Sequence, residues 1–533
     1  MAFRSLLFLT VILLIHPAAR SDDDIPSDAE LAAFNRTSFP SDFLFGAASS
    51  AFQYEDKIAD GSNASNADEF YKLHQEDVSR IKHIGLDAFR ISISWSRLIL
   101  YVDNRPVLRR QGFEYYNNLI NGLLNTSDGQ RRVEPFVTLF HWDTPQVLEA
   151  KYGGFRNEAI VNDYVEYVNF CFKLFGDRVK YWVTFNEPHN FVGMGYATGQ
   201  FAPGRCTPEF QYQYAFAVGR FDSSSQNCPE GNSGTEPYIV AHNILRAHAA
   251  AVELYRKNYK DSQKGKIGIV LNVDWLIPYD ENNASDIQAV DRAFAFLFGW
   301  FMQPLYNGSY PAVMREYIGD RLPKFNRTES KMLNGSYDFL GLNYYTAGYA
   351  MDVECSKGPK NYYTDPCINI TKQRNGKNIG PKSCSGWLYV YPRGIRELLL
   401  FTKNKYNNPE IYITENGFST CNHGDINDKR RTAYHYHHLK FIKSVLPDVD
   451  GVEDAIEKNK NVKGYLLWSL LDDFEWNSGY TVEFGIIHVN YTKDSLDRKY
   501  KHSAMWYKHF LNPLLKEIGH LNKKNEAMFV YYY

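Results

Sequence analysis

Two glutamates, Glu187 and Glu415, each close a short apolar run: Tyr181-Trp-Val-Thr-Phe-Asn-Glu187 and Ile411-Tyr-Ile-Thr-Glu415. A strand buried on both faces is near-continuously apolar. A carboxylate at its end therefore sits at the rim of the core, where the backbone passes into a loop. Two such glutamates from separate strands can meet one substrate only if the strands run the same way in one sheet. A converging pair of carboxyls is the equipment for cleaving a glycosidic bond. One gives a proton to the leaving oxygen, and the other attacks, or activates water, on the opposite face. Taken singly, either glutamate is equally well a strand-terminal surface residue.

The elements that must position them follow from periodicity. Strands are predicted at 43–48, 87–95, 133–140, 181–187, 266–272, 338–345, 411–415 and 461–468. Helical spacing lies between them at 67–84, 112–124, 162–175, 237–258, 287–299, 392–406 and 429–446, and closes the series at 502–514. Eight strands alternating with helices predict an α/β fold, a single (β/α)8 TIM barrel with long strand-to-helix loops. A doubly wound open sheet is the alternative, but no Gly-rich phosphate turn follows the first strand. No composition break marks a second domain. The expected organisation is a signal peptide at 1–21, an acidic, polar and loose N-terminal arm at 22–38, the barrel at 39–515 and a C-terminal tail at 516–533.

Bulk properties narrow the partners. The chain has 533 residues, 44% hydrophobic and 23% charged, as a folded globular protein requires. Its net charge of -2 gives no reason to expect nucleic acid or an anionic membrane. Aromatic residues reach 16%, enough for both a large aromatic core and a cleft lined by rings. Arg4, the apolar run 6–15 and Ala19-Arg-Ser21 have the form of a secretory signal, too short to span a bilayer. Sequons at Asn35, Asn63, Asn125, Asn283, Asn307, Asn326, Asn334, Asn369 and Asn490 fit that route, towards the extracellular space, cell wall or vacuole. Seven cysteines leave at least one unpaired. Cys206 and Cys228 bracket a loop and are the favoured disulfide; two of Cys355, Cys367 and Cys384 form a second candidate pair. No cysteine spacing matches a zinc site, and neither metal nor organic cofactor is expected.

On the barrel reading, Gln53, Arg90, His141, Trp142, Asn186, Glu187, Asn343, Tyr345, Glu415, Trp468, Glu475 and Trp476 share one rim. Amides, histidine and carboxylates bind sugar hydroxyls, and tryptophan stacks on the apolar face of a ring. Each has a plainer reading alone. His141, Trp142 and Trp468 could be core residues, and Arg90 a structural ion pair. Their concentration at one strand end favours the site.

Five stretches then carry a resemblance: Phe45-Gly-Ala-Ala-Ser-Ser-Ala-Phe-Gln53, Arg90-Ile-Ser-Ile-Ser-Trp-Ser-Arg97, Thr184-Phe-Asn-Glu-Pro188, Ile413-Thr-Glu-Asn-Gly417 and Trp468-Ser-Leu-Leu-Asp-Asp-Phe-Glu-Trp476. From about Phe39 to Leu511 the chain resembles glycoside hydrolase family 1, of the plant beta-glucosidase type. The resemblance implies a retaining double displacement on O-glucosides, with Glu187 as acid/base and Glu415 as nucleophile. Glu187 is then expected to hold its proton near neutral pH, through burial and the charge of Glu415. Arg90 would keep Glu415 charged, and Tyr345 would orient it. Asn186 would hold the sugar 2-hydroxyl. Gln53, His141, Glu475 and Trp476 would hold the other hydroxyls, with Trp468 under the ring and Phe484 in the binding set. Asn343 would support the site, and Trp387 would wall the aglycone side. The expected partner is a small glucoside, with no nucleic acid and no membrane.

The chain departs from the family pattern in places. About 15–20 residues are missing after Glu55, relative to the family and to usual loop anatomy. The segment 207–227 is longer than usual, and Gln303 stands where aspartate is common. The shortened loop keeps a non-catalytic sugar-binding protein in view, and transfer to an acceptor other than water is a further alternative. Thioglucosidase relatives usually carry glutamine at the acid/base position, so Glu187 favours ordinary O-glucosides.

Overall fold

The apolar runs form eight parallel strands because each must bury both faces. They are β1 (Leu44–Ala48), β2 (Ala88–Ser92), β3 (Glu134–Thr138), β4 (Tyr181–Asn186), β5 (Lys266–Asn272), β6 (Phe339–Asn343), β7 (Ile411–Glu415) and β8 (Val462–Leu467). Each pairs with its sequence neighbours, and β1 pairs with β8, so the sheet closes into a barrel. The computed structural model describes residues 25–55, 67–127, 129–208, 228–358, 360–421, 424–446, 461–492 and 496–514. The signal sequence, Asn63, the shortened connection after Glu55, most of the long segment from Thr207 and the C-terminal tail lie outside them.

The inward face alternates along each strand. Ala88, Phe136, Val183, Val270, Phe339, Tyr412 and Leu466 fill the interior as one layer, with Phe136 stacked on Tyr181 at 4.1 Å. Gly46 in β1 leaves room for the β2 backbone, since a Cβ there would stand 2.3 Å from the Ala88 carbonyl oxygen. Above this layer the inward positions turn polar. Alternation also breaks at two strand ends. The pairing of β4 with β5 shifts between Val183 and Asn186, and that of β7 with β6 between Ile413 and Glu415. Such irregularities re-aim side chains. Here they bring Asn186 and Glu415 inward.

Among the helices are α1 (Asp28–Ala33), α2 (Phe70–Ile84), α3 (Arg110–Leu124), α4 (Ile160–Phe175), α5 (Pro188–Tyr196), α6 (Glu236–Asn258), α7 (Ala284–Phe294), α8 (Arg393–Lys405), α9 (Lys429–Val445) and α10 (His502–Leu511). Their buried residues recur at helical spacing; α3 buries Tyr115, Tyr116, Leu119, Ile120 and Leu123. The helix predicted at 287–299 is longer and irregular, running from α7 through a π turn at Ala295–Gly299 into Trp300–Asn307. The last helix stops at Leu511. The loops at the active end carry their own small sheet of Trp275–Pro278, Ala347–Asp352 and Ile368–Thr371.

The arm is not loose where it is described. Ser27 and Glu30 form a reciprocal capping box that starts α1. Phe34 then packs on Phe39, Tyr436 and Phe510, with ring centroids 5.5–5.8 Å apart. Arg36 reaches Asp87, just ahead of β2, at 3.1 Å, and Asp87 accepts the Phe45 N–H at 3.0 Å. An acidic composition hid this because one aromatic residue and one arginine do the anchoring.

The disulfides are Cys206–Cys228, Cys355–Cys367 and Cys384–Cys421. The third joins a cysteine grouped with Cys355 and Cys367 in sequence to one far from it. Cys171 is unpaired and buried, and burial pushes its thiol well up. Of the sequons described, Asn125, Asn283, Asn307, Asn326 and Asn334 are exposed and Asn35, Asn369 and Asn490 partly so. Asn283 and Asn326 also cap helices with their side chains.

Docking of the arm predicts that Phe34→Ala lowers stability by about 1–3 kcal/mol, the range for a partly buried aromatic. Thermal unfolding of the secreted protein measures this. An unchanged melting temperature would mean that the arm rests on the barrel without stabilising it.

Candidate active site

Arg90 in β2 lies wholly buried above the aromatic layer. A guanidinium taken out of water must have its N–H groups met. Nη1 donates to Glu415 Oε1 at 2.5 Å, Nη2 to Asn186 Oδ1 at 2.6 Å and Nε to Thr138 Oγ1 at 3.0 Å. The other Glu415 oxygen accepts from the Tyr345 hydroxyl at 2.8 Å. Glu415 therefore meets a cation on one oxygen and a phenol on the other.

Glu187 is held differently. It follows β4 and precedes Pro188, which opens α5, and its backbone is left-handed at φ 43°. The αR region is disfavoured before proline, and left-handed backbone is uncommon outside glycine. Such a conformation costs about 1–3 kcal/mol and persists only where surroundings impose it. The Glu187 N–H donates to the Val270 carbonyl in β5 at 2.9 Å. Its Oε1 accepts from Asn343 Nδ2 at 2.7 Å and its Oε2 from Asn190 Nδ2 at 2.6 Å. Asn343 Nδ2 also lies 3.2 Å from Asn186 Oδ1. One polar chain, Glu187–Asn343–Asn186–Arg90–Glu415, thus joins the two carboxylates.

Asn186 has its oxygen committed to Arg90 and Asn343. Its Nδ2 meets His141 Nε2 at 3.1 Å, which leaves its second N–H for another acceptor. Burial, then the charge of Arg90, hold the His141 imidazole well below its ordinary range, so it is neutral. With Nε2 accepting, the proton resides on Nδ1, which has no partner among the described residues.

These groups open into a pocket of about 740 Å³. Gln53, His141, Asn186, Glu187, Tyr345, Glu415, Trp468, Glu475, Trp476, Phe484 and Trp387 all line it. The structure therefore brings the expected binding set together, with Arg90 and Asn343 supporting it from beneath. Gln53 Nε2 donates to Glu475 Oε2 at 3.1 Å. Trp468 lies near-parallel to His141, and the Trp387 and Tyr345 rings meet in a T-shaped contact with centroids 5.6 Å apart. Trp476 is left-handed at φ 45° and stacks on Phe52, with Trp142 4.5 Å away. Phe201 completes this aromatic group at the mouth. Desolvation first, and the charge of Glu415 after it, push the Glu475 carboxyl up to about 7 against the bond that Gln53 donates.

Asp472, Glu483 and His488 cluster closely enough to hold a metal. The buried Lys501 ammonium already sits there, 2.6 Å from Asp472 and 3.1 Å from Glu483.

The description Glycosyl hydrolase family 1 belongs to the family profile that matches residues 54–513. The chain belongs to glycosyl hydrolase family 1. Among its family 1 relatives, Beta-glucosidase 12 of Arabidopsis thaliana is 45% identical over 95% of this chain and 97% of its own. Beta-glucosidase 12 of Oryza sativa subsp. japonica is 46% identical over 90% and 93%. A solved mutant of the rice beta-glucosidase Os3BGlu6, in a covalent complex with Glc, superposes with TM-score 0.81 at 39% identity, covering 90% of this chain and all of that one.

Sequence reasoning missed several residues of this family 1 site. Asn190 is three residues from Glu187, on the first turns of α5, and that spacing was the available signal. Thr138 and Thr414 complete the floor; the Thr414 hydroxyl donates to Asn343 Oδ1 at 2.7 Å. Phe52 and Phe201 carry no mark in the sequence beyond being aromatic. Gly417 is required for space, since a Cβ would stand 2.1 Å from the Trp468 carbonyl oxygen.

The position of Glu475 predicts a pH effect. Its folded value of about 7 exceeds the ordinary 4.5. The folded state therefore retains a proton that the unfolded chain has released, and Glu475 destabilises the fold increasingly from about pH 4.5 to 7. Glu475→Gln removes that slope. Its stability relative to wild type should widen across this window by on the order of 1–3 kcal/mol and stay level above it. Parallel pH profiles for the two proteins would refute the shift.

Proposed function

We propose that the protein is a retaining beta-glucosidase acting on terminal beta-D-glucosyl residues of O-glucosides. The curated relatives and solved neighbours support a beta-glucosidase enzyme. The observation that carries the mechanism is the unequal support of two linked carboxyls. Glu415 faces a guanidinium and a phenol, whereas Glu187 meets the neutral amides of Asn343 and Asn190. The first suits an attacking carboxylate and the second a group that carries and returns a proton. The covalent glucose complex of the rice relative supports the same chemistry.

In the first step Glu415 Oε attacks C1 as the glycosidic C–O bond breaks. Glu187 gives its proton to the leaving oxygen, and the aglycone departs as an alcohol. In the second, water attacks C1 of the glucosyl ester while Glu187 takes its proton, and Glu415 leaves as the carboxylate. Two inversions restore the starting configuration. The second N–H of Asn186 would hold the 2-hydroxyl, a contact that strengthens in the transition state. Gln53, His141, Glu475 and Trp476 would bind the remaining hydroxyls over Trp468. Trp142, Phe201 and Trp387 would receive the aglycone. A glucoside is the proposed partner. No described helix is long and apolar enough to cross a membrane, and the three disulfides are consistent with secretion or a vacuolar destination.

An aryl beta-glucoside assay tests this reading. Glu415→Gln should lose activity by on the order of 10⁴-fold or more, as removal of a nucleophile does. Activity equal to wild type would exclude Glu415 from that role. Glu187→Gln should lose about 10²–10⁴-fold on poor leaving groups and much less on dinitrophenolate, which leaves without a proton. The wild-type pH profile should be a bell whose alkaline limb disappears in Glu187→Gln. A variant that keeps this limb would contradict the acid/base assignment.

A further inference from the structure

One wall of the pocket is made of two segments from distant parts of the chain. The first, 383–387, ends in Trp387. The second, 416–421, continues directly from the end of β7 that carries Glu415. Trp387, Cys384 and Cys421 all line the pocket, and Cys384 and Cys421 are bonded to one another. Hydrogen bonds run beside the disulfide. The Cys384 N–H donates to the Ser419 carbonyl at 3.2 Å, and the Ser385 N–H to Ser419 Oγ at 2.9 Å. Ser419 Oγ also bonds Ser385 Oγ at 2.8 Å and lies 2.9 Å from Ser383 Oγ. All three serines are buried.

The consequence reaches the reacting end through one ring. Trp387 makes a T-shaped contact with Tyr345, and Tyr345 donates to Glu415. Apart from an isolated bridge between Lys382 and Tyr389, the segment bearing Trp387 has no strand or helix of its own. An indole on such a segment keeps its place only if the segment is tied down. The Cys384–Cys421 disulfide and the serine bonds tie it to the stretch that follows the strand of Glu415. The sugar-end groups Gln53 and Glu475 come from other segments, which this bond does not join.

We infer that Cys384–Cys421 is a specificity-determining staple. It fixes the Trp387 wall against Tyr345 and so sets how tightly a planar, apolar aglycone is held beside the scissile bond. Cys384 and Cys421 are positioning residues that act through Trp387. The inference rests on the beta-glucosidase reading and concerns the aglycone side alone.

The test compares two substrates with one sugar, 4-methylumbelliferyl beta-D-glucoside and beta-D-glucosyl fluoride. The readout is the ratio of their kcat/KM values, because fluoride makes no use of the indole wall. In Cys384→Ser/Cys421→Ser the ratio should fall about fivefold, the size of one lost aromatic contact, mainly through KM for the aryl glucoside. Trp387→Ala should lower it similarly. Removing the bridge in the Trp387→Ala background should add less than about twofold, since contacting residues couple. Cys355→Ser/Cys367→Ser, which removes a bridge away from the pocket, should leave the ratio unchanged.

Should the double variant not be secreted, the folded Cys355→Ser/Cys367→Ser protein is treated with dithiothreitol. The reagent closes to its cyclic disulfide as Cys384 and Cys421 become two thiols, and the same fall in ratio, reversed on reoxidation, is expected. Cys206–Cys228 is buried. An unchanged ratio overturns the proposal. So does an equal loss on both substrates, or full additivity with Trp387→Ala. Wild-type protein that cleaves neither substrate would overturn the beta-glucosidase reading and the staple with it.

Discussion

Arg90 is the group on which both barrel and site depend. A wholly buried guanidinium is tolerable only when its N–H groups find acceptors, and its partners come from β3, β4 and β7. None is local in sequence. The charge is compensated only once distant strands have closed into one barrel, so closing the barrel and assembling the carboxylate pair are a single event. Removing one member of such a set leaves the others desolvated and unpaired, which is why a buried pair resists piecemeal change.

Above that floor the pocket grades from ionic to neutral to apolar. Glu415 is answered by a cation, Glu187 by amides, and His141 is kept neutral by burial and by the same arginine. Glu475 sits further out, held near the middle of the physiological pH range by lost solvation and by the charge of Glu415. The mouth is aromatic, with Trp142, Phe201 and Trp476 packed together. A glucose ring with its hydroxyls and an apolar aglycone would meet these zones in that order.

The sequence made the barrel legible because short apolar runs recur eight times in alternation with helical spacing, the pattern of strands buried on both faces. Predicted strands 266–272 and 411–415 coincide with β5 and β7. The two glutamates were legible for the same reason, as abrupt charges ending apolar runs. Harder to read was anything set by pairing rather than by residue type. The register shifts before Asn186 and Glu415 leave no mark in composition, yet they decide which side those residues face. Asn190 resembles any polar helix residue until the left-handed turn at Glu187 places it under the carboxylate. Cys421 could not be matched to Cys384 because cysteine spacing does not encode connectivity. The arm misled because two anchoring side chains outweigh an acidic average.

The three disulfides share a property that becomes clear only against the barrel. All of them join segments outside the eight strands. The barrel closes through hydrogen bonds, burial and the Arg90–Glu415 ion pair, and covalent reinforcement is confined to its loops. Synthesis in an oxidising compartment therefore acts on the loops, where each bridge restricts the unfolded chain it closes, and only Cys384–Cys421 lies at the pocket.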